Sequence, residues 1–384
     1  MTCCAIRVLF RRSYSPGVAE PCMEIYRQPE TLDVYTNHSN FVCVVSNGTA
    51  VLGLGNIGPA AAMPVMEGKC VLFKELGGVD AYPILVDTQD PQEIIRTVEL
   101  LAAGFGGINL EDIRAPYCFE IEEALKGKLD IPVFHDDQHG TAIVVLAGLL
   151  NAVKLVKKDL QECKIVITGA GAAGLAVTKL LLGLGVKNIK VCDIDGVLYP
   201  GCPQCTYKVR EEIAAATNSE GVKGKLAEVL PGADIFVGVS GPKVLTGEMV
   251  STMARDSIIM AMANPEPEIL PSEAKSGGAR VIFTGRSDFP NQVNNVSAFP
   301  GVFRGALEVR ARDINEEMKI AAAHAMAGLI SETELTEENV IPGVLDPRVV
   351  PSIARAVAKT AIETGVARRE ADPEEIFRSI LQRS

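Results

Sequence analysis

The segment CKIVITGAGAAGLAVTKLLLGLGVKNIKVCDID, residues 163–195, constrains the fold more than any other stretch of the chain. Ile165 to Thr168 read as a short buried strand, because a β-branched run bounded by polar residues and glycine is the strand signature. Gly169, Gly171 and Gly174 follow in GxGxxG spacing. The first supplies a tight turn, the second lets backbone approach a pyrophosphate, and the third packs helix on strand. Ala172 and Ala173 open a helix to Leu184, whose N-terminal amides face an anion. A second strand, IKVCD, ends at Asp193, 19 residues after Gly174. An acid there binds the ribose hydroxyls of NAD and repels the 2′-phosphate of NADP. With Ile194 next rather than an arginine, and Asp195 adding negative charge, the pattern favours NAD. The earlier GLGNIG, Gly53 to Gly58, has the glycine spacing but neither the long helix nor the acid-closed second strand, so it is not read as a dinucleotide site.

A second organising stretch runs from Gly107 to Ala147. Two short apolar runs, INL and IPVF, read as buried strands, and each leads into a pair of acids: Glu111 with Asp112, and Asp136 with Asp137. Acids at strand ends face the crevice where open α/β sheets bind ligands. Four carboxylates there repel one another unless a cation or protons neutralise them; a divalent metal is the economical explanation, and all-oxygen ligands favour Mg²⁺ or Mn²⁺ over zinc. The alternative is that each pair merely caps the helix that follows. Asn264 and Asn295 stand where later strands, SIIMAMAN and VIFT with its following loop, end at the same crevice, unless they only form Asx turns.

Lys69 precedes the apolar run CVLF, read as a strand. Desolvation at such a position lowers the pKa of a lysine and makes it a usable base, although a strand-end lysine can simply snorkel to water. Tyr14 sits before the Ser15-Pro16-Gly17 turn, where a tyrosine is ordinarily a packing residue. FVCVVS, the Asn47-Gly48 turn and AVLGLG together suggest a hairpin.

A chain of 384 residues suggests two domains. The net charge of −11 argues against a nucleic-acid or anionic-membrane partner and leaves a small molecule. Ten cysteines, mostly inside apolar runs, fit reduced thiols of a cytoplasmic protein rather than a disulfide framework, and the Cys202/Cys205 pair lacks a second pair at zinc spacing. No apolar run reaches the roughly 20 residues that span a bilayer. No signal peptide is evident, and a catalytic residue at position 14 would leave no room for a removable leader.

The motifs SYSPGVAEPC, VVSNGTAVLGLGNIG, PVMEGKCVLFK, INLEDIRAPYCFEIE, IPVFHDDQHGTAIV, GAGAAG, GRSDFPNQVNN and FPGVFRGAL, in this order, make the chain resemble the small-subunit, NAD-dependent malic enzymes of bacteria and archaea. The resemblance covers nearly the whole chain. It implies an α/β fold of two domains. An N-terminal malic-enzyme domain would occupy residues 1–137, and a Rossmann-type, doubly wound NAD-binding domain residues 138–384, closed by helices from about 303. It implies Lys69 as general base, Tyr14 as general acid, and Glu111, Asp112 and Asp137 as ligands of Mg²⁺ or Mn²⁺, with Asp136 orienting a ligand or a metal-bound water. Asn264 and Asn295 would contact malate and the nicotinamide end of the cofactor. The implied reaction is oxidative decarboxylation of L-malate by a homodimer or larger homo-oligomer. Oxaloacetate decarboxylation, reduction of another 2-oxo acid, and nucleotide binding without turnover are the alternatives. The chain departs from the family in a short, atypical segment ahead of Tyr14, in Ala50 where the large malic enzymes carry a malate-binding arginine, and in ending without an acyltransferase-like extension.

Overall fold

The computed structural model describes residues 13–51 and 53–382; the segment ahead of position 13, with Cys3 and Cys4, lies outside them. Two sheets organise the chain. The first joins β1 (Phe41–Ser46), β2 (Asp80–Leu85), β3 (Gly107–Leu110) and β4 (Val133–His135) in the order β2-β1-β3-β4, all parallel. The second joins β5 (Ile165–Thr168), β6 (Ile189–Asp193), β7 (Gly196–Val197), β8 (Ile235–Gly238), β9 (Ile258–Ala261) and β10 (Val281–Thr284). Its order is β10-β9-β8-β5-β6-β7, with only β7 antiparallel. Strand order reverses between β1 and β3 in one sheet and between β5 and β8 in the other, and those reversals are where parallel sheets open a ligand crevice.

The longer helices, in chain order, are α1 (Ala19–Arg27), α2 (Pro59–Gly77), α3 (Pro91–Leu101), α4 (Tyr117–Lys126), α5 (Asp136–Leu155), α6 (Ala172–Gly183), α7 (Lys208–Thr217), α8 (Phe299–Glu308), α9 (Glu316–Ala327), α10 (Val349–Glu363) and α11 (Pro373–Leu381). Helix α5 joins the sheets. It is 20 residues long and, by length and composition only, long and apolar enough to cross a membrane, contrary to the sequence expectation. Most of its surface is instead buried, packed between α6 and α9. The expected domain boundary at 137/138 therefore falls inside its first turn. Helix α8, from the segment expected to close the second domain, packs on α2 of the first, with the Phe73 ring 4.6 Å from Phe299 and 5.3 Å from Phe303.

Three local expectations are corrected. CVLF is not a strand: it lies in α2, which begins with Gly58 and Pro59 and closes on the left-handed Gly78. Its buried residues Ala62, Met66, Lys69, Phe73 and Gly77 recur every three or four positions, so Lys69 lies on the core-facing stripe. The hairpin after Asn47-Gly48 does not form. β1 pairs in parallel with β2 and β3, and the AVLGLG stretch contributes only an isolated bridge between Val51 and Gly55. Cys202 and Cys205 form a disulfide, whereas Cys43, Cys118, Cys163 and Cys192 are buried free thiols.

Candidate active site

β3 delivers Glu111 and Asp112 directly beyond its C-terminal end, and the amide of Glu111 continues the sheet by donating to Val45 at 2.9 Å. β4 passes into the first turn of α5, which carries Asp136 and Asp137. One carboxylate oxygen each from Glu111, Asp112 and Asp137 lies within 4.8 Å of the other two. The Asp112 amide donates to Asp137 Oδ2 at 2.8 Å, and the Asn109 amide nitrogen donates to Glu111 Oε2 at 2.9 Å. These acids do more than cap helices, because both pairs meet across the sheet. Burial pushes the Glu111, Asp136 and Asp137 carboxyls above their ordinary range, and mutual repulsion adds to it. All-oxygen and closely spaced, with Glu111 and Asp112 buried and Asp137 half-buried, the set suits a hard divalent cation.

Lys69 enters from α2. Its Nζ donates to Glu111 Oε1 at 2.8 Å and to Asp136 Oδ2 at 2.5 Å, and lies 4.2 Å from the centre of the Phe299 ring. Asp136, expected to orient a ligand or a bound water, thus holds the lysine. Burial acts to lower the Lys69 pKa, but the Asp136 and Glu111 carboxylates outweigh it and hold the group above its ordinary value. The lysine is a cation in this arrangement, which corrects the expectation of a base lowered by desolvation.

These groups face a cleft of about 540 Å³, lined by Lys69, Glu111, Asp112 and Asp137 from the first unit and by Gly171, Ala172, Ala173 and Asn295 from the second. An adjoining cleft of about 280 Å³ shares Asp137, Ala173 and Asn295 and adds Asn264. The candidate base, the candidate ligands and the glycine-rich turn therefore open onto one space, with Asn264 in its extension. Tyr14 is not on that wall: it is 65% exposed on the turn before α1. The segment that follows buries little, leaving Met23, Tyr26, Val34 and Tyr35 exposed.

Two of the three glycines are sterically required where they stand. A Cβ at Gly174 would meet the Gly169 carbonyl oxygen at 1.9 Å, and one at Gly169 would meet the Val239 carbonyl oxygen at 2.4 Å. Gly171 has nothing within 4 Å and faces open space. Gly140, which spacing did not single out, keeps the first turn of α5 clear: a Cβ there would lie 1.9 Å from Asp136 Oδ1. Arg114 and Phe299, also on the cleft wall, went unread as well. Arg114 had a visible signal, two residues after the acid pair; Phe299 heads the motif FPGVFRGAL, but its contact with Lys69 could not be read because that partner lies in a distant helix.

Two largely parallel sheets, a glycine-rich turn of dinucleotide-binding spacing and a carboxylate cluster on a shared cleft define a two-domain α/β protein with a Rossmann-like unit. The comparisons narrow that class. Residues 5–92 match the malic enzyme N-terminal domain model and residues 138–362 the malic enzyme NAD-binding domain model. The chain is 59% identical over 364 residues to the bifunctional malic/malolactic enzyme of Bacillus subtilis, covering 95% of this chain and 89% of that one. It is 56% identical to the NAD-dependent malic enzyme of Geobacillus stearothermophilus, covering 94% of this chain and 75% of that one. The crystal structure of malic enzyme from Pyrococcus horikoshii superposes with a TM-score of 0.94 at 48% identity, covering 98% of this chain and 88% of that one. The chain belongs to the malic enzyme family.

Proposed function

We propose that this chain catalyses the divalent-metal-dependent oxidative decarboxylation of L-malate to pyruvate and CO₂ with reduction of NAD. The observation that carries the reading is the shared cleft, where a buried lysine, a three-carboxylate cluster and a dinucleotide turn face one another. Glu111, Asp112 and Asp137 would hold Mg²⁺ or Mn²⁺. Such an ion supplies Lewis acidity at the malate C2 oxygen and stabilises the negative charge left when CO₂ departs. Lys69 takes the C2 hydroxyl proton as hydride leaves C2 for the nicotinamide. Its ammonium is held by Glu111 and Asp136, so drawing Glu111 onto a cation removes one of the two supports of the protonated form. Asn295 lies beside the acids, and Asn264 lies with Ala173 in the extension proposed for the nicotinamide end. NADH formation from L-malate and Mn²⁺, with pyruvate as product and loss of signal in a chelator, tests the reading; no turnover with either metal overturns it.

Malate brings a second carboxylate, and we assign it to Arg114. Lys69 is already engaged by two acids, whereas the Arg114 guanidinium lies 5.4 Å from the centre of the Tyr117 ring with no carboxylate paired to it among the described residues. A charge-assisted hydrogen bond contributes about 1.5–3 kcal/mol, so Arg114→Gln is expected to raise the malate KM about tenfold or more, with a smaller change in kcat. An unchanged KM would transfer the role to another group.

Tyr14 is the proposed donor of the proton to C3. It reaches substrate only when the segment 13–40 closes on a cleft, its own or that of a second copy. The apolar side chains Val18, Met23, Tyr26, Val34 and Tyr35, exposed along this segment, support a homodimer or larger assembly with the segment at the interface. Sedimentation should give at least a dimer, and a monomer at about micromolar protein would be incompatible with that interface.

A further inference from the structure

The acid that closes β6 does not stand alone. Asp193 Oδ1 accepts from the Ile194 amide at 3.0 Å, and Oδ2 accepts from Nη2 of Arg210, in the first turn of α7. The same arginine reaches the glycine-rich turn: Nε and Nη2 donate to the Ala170 carbonyl at 3.1 and 2.8 Å. Nε also donates to the Tyr207 hydroxyl at 2.9 Å, and Nη1 to the Gln204 carbonyl at 3.0 Å, within the loop closed by the Cys202–Cys205 disulfide. A guanidinium has five N–H groups, and these contacts leave one on Nη1 unused.

Asp193 alone would repel a 2′-phosphate, but the Asp193–Arg210 pair presents no net charge at the ribose corner. Each Asp193 oxygen retains a second lone pair for a ribose diol, so the pairing leaves NAD recognition intact. A guanidinium also matches phosphate geometry bidentately, and Nη2 can exchange the carboxylate for a phosphate while Nε stays on Ala170. Ile194, at the mouth of this corner, is exposed, so an incoming phosphate keeps access to water.

We propose that Arg210 sets cofactor choice, cancelling the repulsion from Asp193 and receiving the 2′-phosphate, so that the chain uses NADP as well as NAD. The inference rests on the NAD-linked reading above. It is tested by titrating the full-length wild-type chain, Arg210→Gln, Arg210→Lys and Asp193→Ser with NADH and with NADPH, reading nicotinamide fluorescence, beside kcat/KM for both oxidised cofactors. Wild type should bind both. Arg210→Gln should lower the NADPH-to-NADH affinity ratio about tenfold or more, the scale of one lost charge-assisted contact, and Arg210→Lys should restore part of it. Asp193→Ser should raise the ratio. An arginine that only props the loop would weaken both cofactors equally in Arg210→Gln, and that outcome overturns the inference. Wild type that binds NADH but rejects NADPH overturns it while leaving the NAD reading intact; failure to bind either removes both.

Discussion

Lys69→Ala is expected to lower malate-dependent NADH formation by about a thousandfold or more, at the upper part of the range for loss of a positioned acid–base group. Metal-promoted decarboxylation of oxaloacetate should persist in part, because that step needs no proton taken from a C2 hydroxyl. Equal loss of both activities would count against the division of roles. The substitution also removes the cation between Glu111 and Asp136, both nearly inaccessible to solvent. Breaking a buried pair this way typically costs about 3–5 kcal/mol, so the alanine variant should unfold at lower urea in chelator than in Mn²⁺. Lys69→Arg separates the two effects: the charge stays, but a guanidinium does not give up its proton. It should hold much of the fold and still lose turnover.

The dinucleotide unit was legible because every part of it is local. The strand at Ile165, the three glycines and the acid at Asp193 all fall within one short span, and the structure returns the strand with the bounds the sequence implied. The acid pairs were legible for the same reason, each following its own strand. The element carrying Lys69 was misread because the apolar run CVLF was taken as a strand, although Ala62, Met66, Lys69 and Phe73 spell out a helical stripe once Gly58-Pro59 and Gly78 are taken as its ends. What local pattern could not supply is pairing across the fold. Asp136 meets Lys69 from another helix, Phe299 covers it from the C-terminal segment, and Arg210 bridges Asp193 to Ala170. The same limit applies to Tyr14, whose motif resembles a catalytic one while its side chain stands outside the cleft of its own chain.

Gly174→Ala and Gly171→Ala should have different consequences although the two glycines belong to one motif. At Gly174 the added carbon would lie 1.9 Å from the Gly169 carbonyl oxygen. That neighbour is backbone and cannot rotate away, so α6 must shift off the end of β5, and the next contact, Val239 Cγ2 at 3.2 Å, resists the same movement. Overpacking of this kind costs about 1–3 kcal/mol, and with backbone on the receiving side the upper end is expected. Because the shift moves the amides that face the pyrophosphate, NADH binding should fall by about a hundredfold or more in parallel with stability. At Gly171 the added carbon would meet nothing within 4 Å beyond the adjoining backbone, so Gly171→Ala should leave the urea midpoint near that of wild type. Its methyl group instead occupies the space through which backbone approaches the cofactor, and NADH affinity should fall without loss of stability. Urea denaturation beside NADH titration reads both variants. A destabilised Gly171→Ala, or a Gly174→Ala that keeps its stability and loses only affinity, would mean that the turn binds its cofactor through a different set of backbone contacts.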